Sequence, residues 1–269
     1  MNDLTPKVVR TSTLPTFKSE GRKFSCLTSY DSITASIFDE AGIDVLLVGD
    51  SAADNSLGYT TTLPITVDEM IPFGRAVASA AKRALVVVDL PFGSYETSPA
   101  DALATAIRVM KATGAQAVKL EGGARSAEAI KTIVAAGIPV MGHVGFTPQS
   151  VHSLGGFKVQ GRGEGAAALL EEARAVEAAG AFAVVLELVP AELAEEVTRE
   201  LSIATIGIGA GNSTDGQILV WTDFAGMHAG PARKFVRKYA ELREVLRKAA
   251  RDYRDDVASG DFPNQNEGF

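Results

Sequence analysis

Four apolar runs in this chain each lead into a carboxylate: LLVG into Asp50, LVVV into Asp89, AVKL into Glu121 and VVL into Glu187. Where each run is a buried parallel strand, the four acids collect at one end of a sheet. Carboxylates brought that close repel one another, so the cluster persists only where a cation or a proton-transfer task stabilises it. The pattern is the sign of a metal-assisted active site. Each acid alone reads as readily as a helix cap or a loop charge, but four at equivalent positions strain that explanation.

Lys119 stands two residues before Glu121, and on a strand that spacing puts both side chains on one face. A lysine in a buried strand is rarely there for packing. Pointing inward, it neutralises the acids or holds an anionic substrate. His143 closes the fifth apolar run in the same way, although a lone histidine there is equally a satisfied hydrogen-bonding residue. Asp31, in TSYD, is read as the cap of the helix that follows. His152 and His228 fall in loops and receive no role. Three carboxylates, a divalent cation, one lysine and a monoanionic substrate nearly balance. A fourth ionised acid adds repulsion, which raises its proton affinity and suits it to act as a base. All-oxygen ligands favour magnesium or manganese over zinc.

The elements that must position these groups are eight short runs rich in Val, Ile and Leu. They are Phe24 to Ser29, Val45 to Gly49, Leu85 to Val88, Ala117 to Leu120, Pro139 to Gly142, Ala183 to Leu186, Ala204 to Ile208 and Gln217 to Val220. Apolar runs without polar alternation are what strands covered on both faces show. Helical patterns lie between them. Thr66 and Glu69 form a capping box ahead of a helix reaching about Lys82, Pro99 opens an Ala-rich helix stopping near Gly114, and Gly137 and Gly180 end two more. Eight strand-loop-helix units predict an α/β fold, a closed (β/α)8 barrel rather than an open doubly wound sheet. No linker divides residues 1–269, so one domain is expected, with a polar N-terminal segment 1–22 and a helical extension over about 231–260. In that extension Phe235, Tyr239, Leu242, Leu246, Ala249, Tyr253 and Val257 recur at helical spacing, for core packing or a subunit contact. The glycine clusters Gly207 to Gly211 and Gly161 to Gly165 read as tight turns, without the context of a dinucleotide fingerprint.

Composition narrows the function classes. With 26 basic against 33 acidic side chains the net charge is -7, and no basic block stands out, which argues against nucleic acid or an acidic membrane as partner. The one cysteine, Cys26, has no intrachain disulfide partner and sits in an apolar run, as a small buried thiol does. The N-terminus lacks the apolar core of a signal peptide, and no run reaches membrane-spanning length. A soluble, cytoplasmic protein is expected.

Seven segments then carry a family resemblance: VGDS (Val48 to Ser51), TTLPIT (Thr61 to Thr66), DLPFGSY (Asp89 to Tyr95), VKLEGG (Val118 to Gly123), GHVGFTPQSVHSLGGFKVQGRG (Gly142 to Gly163), LELVP (Leu186 to Pro190) and IGIGAGNSTDGQILV (Ile206 to Val220). In order and without large gaps, from about Lys23 to the tail, the chain resembles ketopantoate hydroxymethyltransferase. The resemblance implies a (β/α)8 barrel of pantothenate synthesis that joins the methylene group of 5,10-methylenetetrahydrofolate, with water, to 3-methyl-2-oxobutanoate. It also implies a homodecamer of two stacked pentamers, one magnesium ion per subunit, and small-molecule partners only. Matched position by position, Asp50, Asp89 and Glu121 fall on the magnesium site, partly direct and partly through water. Asp50, Ser51, Asp89 and Lys119 fall on keto-acid contacts, Glu187 on the general base, and His143 beside the substrate carbonyl. The chain departs from the family pattern at Ala52 to Asn55, which replaces a small-glycine stretch, and at Pro72, which interrupts a helix. Two rivals are a lyase of the related phosphoenolpyruvate-type barrels and a non-catalytic keto-acid sensor. The lyases generally carry a catalytic cysteine in a mobile loop, and Cys26 lies in the first strand instead.

Overall fold

In the computed structural model, which describes residues 7–268, the eight apolar runs form β1 (Phe24–Thr28), β2 (Val45–Val48), β3 (Leu85–Asp89), β4 (Ala117–Lys119), β5 (Val140–Gly145), β6 (Ala183–Glu187), β7 (Ala204–Ile208) and β8 (Gly216–Leu219). Each strand pairs in parallel with the next, and β8 returns to β1 through Phe24 opposite Gly216, so the sheet closes into the expected barrel. Close approach at that seam requires glycine, because a Cβ on Gly216 would lie 2.3 Å from the Phe24 ring.

Side chains alternate along a strand, and in an eight-stranded barrel those pointing inward fill the interior. Val45 and Leu47, Leu85 and Val87, Ala117, Met141, Ala183 and Val185, Ala204 and Ile206 form one apolar cluster with Cys26 and Ile218. Two residues further along the same inward face come Asp89 after Val87, Lys119 after Ala117, His143 after Met141 and Glu187 after Val185. The period of two therefore turns a dry plug into a charged mouth at the strands' carboxyl ends. Full burial of each such Val, Leu or Ile contributes about 1.5–3 kcal/mol, which anchors the register that aims the charged groups.

The helices are α1 (Thr13–Ser19), α2 (Ser32–Glu40), α3 (Ala52–Ser56), α4 (Val67–Ala80), α5 (Pro99–Thr113), α6 (Ala127–Ala135), α7 (Gly165–Ala178), α8 (Ala191–Glu200), α9 (Trp221–Phe224) and α10 (Leu242–Ser259). Several begin and end as the sequence predicts. Asp31 caps α2 by accepting from the Ile33 and Thr34 amides, both at 2.8 Å. Thr66 and Glu69 form the reciprocal capping box of α4, and Gly114 ends α5 in the left-handed conformation. Pro72 falls inside α4, and the helix continues past it to Ala80. The N-terminal segment is less polar in effect than its composition: its first six residues lie outside the described ones, but Val9, Leu14 and Phe17 are buried in the barrel's apolar cluster. Lys18 on α1 reaches Thr198 O at 2.6 Å and Asp215 Oδ2 at 2.9 Å, fixing the helix beside the entry of β8.

Contacts divide the chain into two compact units, one ending at Val220 and one beginning at Trp221. In the second, α10 carries Leu242, Leu246, Ala249, Tyr253 and Val257 of the predicted stripe and buries none of its residues, whereas Phe235 and Tyr239 precede it. Tyr253 packs edge-on against Phe262 at 5.5 Å, and Phe224 against Tyr239 at 5.4 Å. No helix among the described residues is long and apolar enough to cross a membrane.

One buried acid does structural work at the opposite end of the barrel. The Asp39 carboxylate accepts from the backbone amides of Lys82, Arg83 and Ala84, at 2.6 to 3.2 Å, joining α2 to the entry of β3. Asp39→Ala strands these donors and is expected to cost on the order of 2–4 kcal/mol. A urea midpoint unchanged from that of the parent chain would contradict this.

Candidate active site

Asp89 and Glu187 are the last residues of β3 and β6, Lys119 is the last of β4, His143 lies within β5, and Asp50 and Glu121 stand two residues past β2 and β4. All six are buried, with Glu187 the most open of them. Lys119 Nζ donates to Asp89 Oδ2 at 2.7 Å and lies 3.9 Å from Glu121 Oε1, so the shared face inferred for Lys119 and Glu121 is present. The Asp50 amide donates to the same Asp89 oxygen at 3.3 Å. His143 sits between two acids, its Nδ1 3.4 Å from Glu121 Oε1 and its Nε2 3.3 Å from Glu187 Oε2. Asp50, Asp89, Lys119, Glu121, His143 and Glu187 thus form a chain of charges across the mouth. Ser51, half-buried beside Asp50, shares a 2.8 Å hydrogen bond with the Tyr30 hydroxyl.

Crowding of charge out of water sets the protonation states. Burial pushes the Asp50 carboxyl up to about 8, and its neighbours Asp89 and Glu121 push the same way. Burial also raises Asp89, against the pull of Lys119. Glu121 behaves oppositely: burial favours its neutral form, but His143 and Lys119 outweigh it and hold the carboxyl below its usual range. Burial and Lys119 both disfavour a charged His143, yet the carboxylates of Glu121 and Glu187 prevail and lift it to about 9. Burial likewise opposes the Lys119 charge and is overcome by Asp89, Glu121 and Asp50, so the ammonium persists.

Three residues of this site had no role assigned from the sequence. Gln149, on the turn Pro148–Ser150 after β5, donates through Nε2 to Asp50 Oδ2 at 3.0 Å and through its backbone amide to Glu121 Oε2 at 3.0 Å. Tyr95 donates its hydroxyl to Gln149 Oε1 at 2.5 Å and accepts from the Glu121 amide at 3.1 Å. Tyr30 is the third. Tyr95 and Gln149 fall inside the DLPFGSY and GFTPQS segments, but a tyrosine and a glutamine in loops carry no spacing signal of their own. Backbone strain marks the end of β6 as well. Leu188, directly after Glu187, is left-handed at φ 49°, a conformation that costs on the order of 1–3 kcal/mol in a non-glycine residue. Gly145 passes so close that a Cβ there would meet Glu187 O at 2.3 Å.

Among the described residues no group of three or more His, Cys, Asp or Glu side chains is already arranged to hold a metal ion. Asp89 Oδ1 and Glu121 Oε1 are nonetheless buried with no hydrogen-bond partner. A few carboxylate oxygens beside open positions are what magnesium uses, since it keeps water and substrate oxygens in its shell.

A closed parallel barrel with acids, a lysine and a histidine at the carboxyl ends of its strands has the layout of a barrel enzyme. Among solved structures it resembles phosphonopyruvate hydrolase in complex with oxalate and Mg++, with TM-score 0.62, 12% identity, and 97% of this chain and 93% of that one covered. It also resembles 2,3-dimethylmalate lyase, a member of the PEP mutase/isocitrate lyase superfamily, with TM-score 0.60, 15% identity, and 97% and 92% covered. These likenesses establish the fold. Sequence goes further: the family profile described as Ketopantoate hydroxymethyltransferase matches residues 8–265. The 3-methyl-2-oxobutanoate hydroxymethyltransferase of Leifsonia xyli subsp. xyli is 65% identical over 98% of this chain and 95% of that protein. That of Corynebacterium efficiens is 61% identical over 100% of both. The chain belongs to the ketopantoate hydroxymethyltransferase family.

Lys119 is the first residue to test in this charge chain. Lys119→Met keeps the length of the side chain but leaves Asp89 buried without its cation, a loss expected to cost about 3–5 kcal/mol. Equilibrium unfolding of the apoprotein measures it, and a stability within experimental error of the parent would remove Lys119 as the organising charge.

Proposed function

We propose that this chain transfers the one-carbon unit of 5,10-methylenetetrahydrofolate to 3-methyl-2-oxobutanoate (α-ketoisovalerate), with water, giving 2-dehydropantoate (ketopantoate) and tetrahydrofolate. The observation that carries the reading is a division among the buried acids. Asp50, Asp89 and Glu121 cluster around Lys119, whereas Glu187 stands apart, across His143 and more open to solvent. Family membership over nearly the whole chain supports it.

The residues fit a magnesium ion. Asp89 Oδ1 and Glu121 Oε1 lack hydrogen-bond partners, and the upward push on Asp50 is the strain a cation relieves. Asp50, Asp89 and Glu121 would hold it, partly through water. When bound, magnesium supplies Lewis-acid polarisation of the keto acid, an effect worth several kcal/mol in stabilising developing negative charge.

The chain's own side chains do the rest. Lys119 pairs with the substrate carboxylate, and Ser51, Asp50 and Asp89 line the keto-acid position, which limits the orientations in which C3 can present its proton. Glu187 removes that proton, and the electron pair of the C3–H bond becomes the enolate. The enolate C3 forms a bond to the methylene carbon of the folate iminium. Water then forms a C–O bond at that carbon as the C–N bond breaks, its pair going to the folate nitrogen, which takes up the proton lost by the water, and tetrahydrofolate leaves. The His143 imidazolium, held between Glu121 and Glu187, puts positive charge beside the substrate carbonyl. The same reading places the protein in the cytoplasm as a homodecamer. Apolar side chains left exposed on α2 (Ile33, Ile37) and α10 (Val245, Leu246, Tyr253) support assembly.

Proton NMR of the protein with keto acid, magnesium chloride and methylenetetrahydrofolate is expected to show ketopantoate, with the signal abolished by EDTA and restored by excess magnesium. Cleavage of a longer acid in place of ketopantoate formation would overturn the transferase in favour of a lyase. Glu187→Gln is expected to slow exchange of the C3 proton with deuterated water by at least ~100-fold, the scale of a positioned general base, while leaving magnesium binding largely intact. Exchange at the parent rate in that variant would remove Glu187 as the base.

A further inference from the structure

Gln149 is 5% exposed and places every polar group but its carbonyl on another part of the mouth. Its backbone amide donates to Glu121 Oε2, past the end of β4, at 3.0 Å. Its side-chain NH2 donates to Asp50 Oδ2, past β2, at 3.0 Å and to Leu90 O, just past β3, at 3.1 Å. Its side-chain oxygen accepts from Tyr95 at 2.5 Å. This arrangement fixes the amide's orientation: two acceptors face the NH2, and a hydroxyl with one proton faces the oxygen. Tyr95 in turn accepts from the Glu121 amide, so the phenol and the amide grip Glu121 from two sides.

Each carboxylate touched by this network is held by one oxygen. Glu121 is held through Oε2, while Oε1, facing the charges of His143 at 3.4 Å and Lys119 at 3.9 Å, accepts no hydrogen bond, and Asp50 is held through Oδ2. Asp89 follows the same rule, with Oδ2 on Lys119 and Oδ1 unpartnered. A carboxylate free at both oxygens rotates, and ordering it costs side-chain entropy when a cation arrives. One held by a neutral donor is already ordered, and no positive charge has been added to compete with the cation.

We propose that Gln149, aligned by Tyr95, is a positioning residue for the magnesium site, ordering Asp50 and Glu121 so that one oxygen of each faces the cation. The proposal rests on the magnesium reading given above. Partners that orient metal ligands typically contribute 10–100-fold in metal affinity. Gln149→Ala keeps the backbone bond to Glu121 and removes the bonds to Asp50 and Leu90. Tyr95→Phe keeps the ring and removes the hydroxyl that aligns the amide.

The experiment is calorimetric titration of magnesium chloride into the parent protein and both variants without keto acid or folate, with thermal melts recorded alongside. In steady-state assays, the magnesium concentration for half-maximal rate is then compared with kcat at saturating magnesium. The expected result is magnesium affinity lowered by about 10-fold or more in both variants, with the half-maximal magnesium concentration rising in parallel and kcat changed less. Parent-like affinity in folded Gln149→Ala and Tyr95→Phe would overturn the proposal, whether or not the melting temperature falls, because that result describes packing alone. A parent protein that takes up no magnesium would overturn the metal reading and this inference together, an outcome distinct from the first.

Discussion

The 2.7 Å ion pair between Lys119 and Asp89, closed off from solvent at the head of the barrel's apolar plug, is the contact on which the other charges depend. A buried carboxylate without a partner takes up a proton or destabilises the fold, and here three acids share one small volume. Lys119 lies within reach of two of them and lowers the protonation tendency of all three. It does so in surroundings that disfavour its own charge. The ammonium and the acids are thus mutually required, and the low dielectric that makes each costly alone makes the pairing strong.

That pairing exists because of the register beneath it. Inward residues run Val87 then Asp89, Ala117 then Lys119, Met141 then His143, and Val185 then Glu187. Slipping any one strand by one residue would turn its charged group out among the helices and its outward apolar residue into the plug. The cost of burying a misplaced Lys or Glu against the helices, added to lost packing, exceeds what any loop contact returns. Packing at the lower end of the barrel therefore selects the geometry of chemistry at the upper end, and β8 closing on β1 leaves no free edge at which the register could relax.

How much of this can be read from sequence follows from the same periodicity. Asp89, Lys119, Glu121 and Glu187 are legible because a strand relates residues by strict alternation, so run length and spacing fix both the face and the end. Asp31 is legible as a cap because its helix begins at the next residue and its first amides need an acceptor. His143 could be placed at the mouth, but its position between Glu121 and Glu187 depends on two other strands, and no local spacing records that. Gln149 and Tyr95 lie in loops, where the path of the chain depends on Pro148, on positive-φ glycines and on packing across the barrel. Their residue types carry no periodic signal, and only the folded arrangement shows that they converge on Asp50 and Glu121. Val9, Leu14 and Phe17 were obscured for a different reason: three apolar residues among polar neighbours give a polar average, although all three are buried.

The uncharged members of the site explain how it can be rigid without being neutralised. Gln149 holds Asp50 and Glu121, Tyr95 holds Gln149 and the Glu121 amide, and Tyr30 holds Ser51, with burial pushing both phenols up so that they remain neutral donors. Had these positions been lysine or arginine, the carboxylates would have been equally ordered but electrically satisfied, leaving little to attract a divalent ion. Acids there would have added repulsion that one lysine and one imidazolium could not offset. Neutral donors separate the two requirements. Geometry is set by amide and phenol hydrogen bonds, while the electrostatic appetite of the acids is left to Lys119, His143 and whatever cation and substrate enter the mouth.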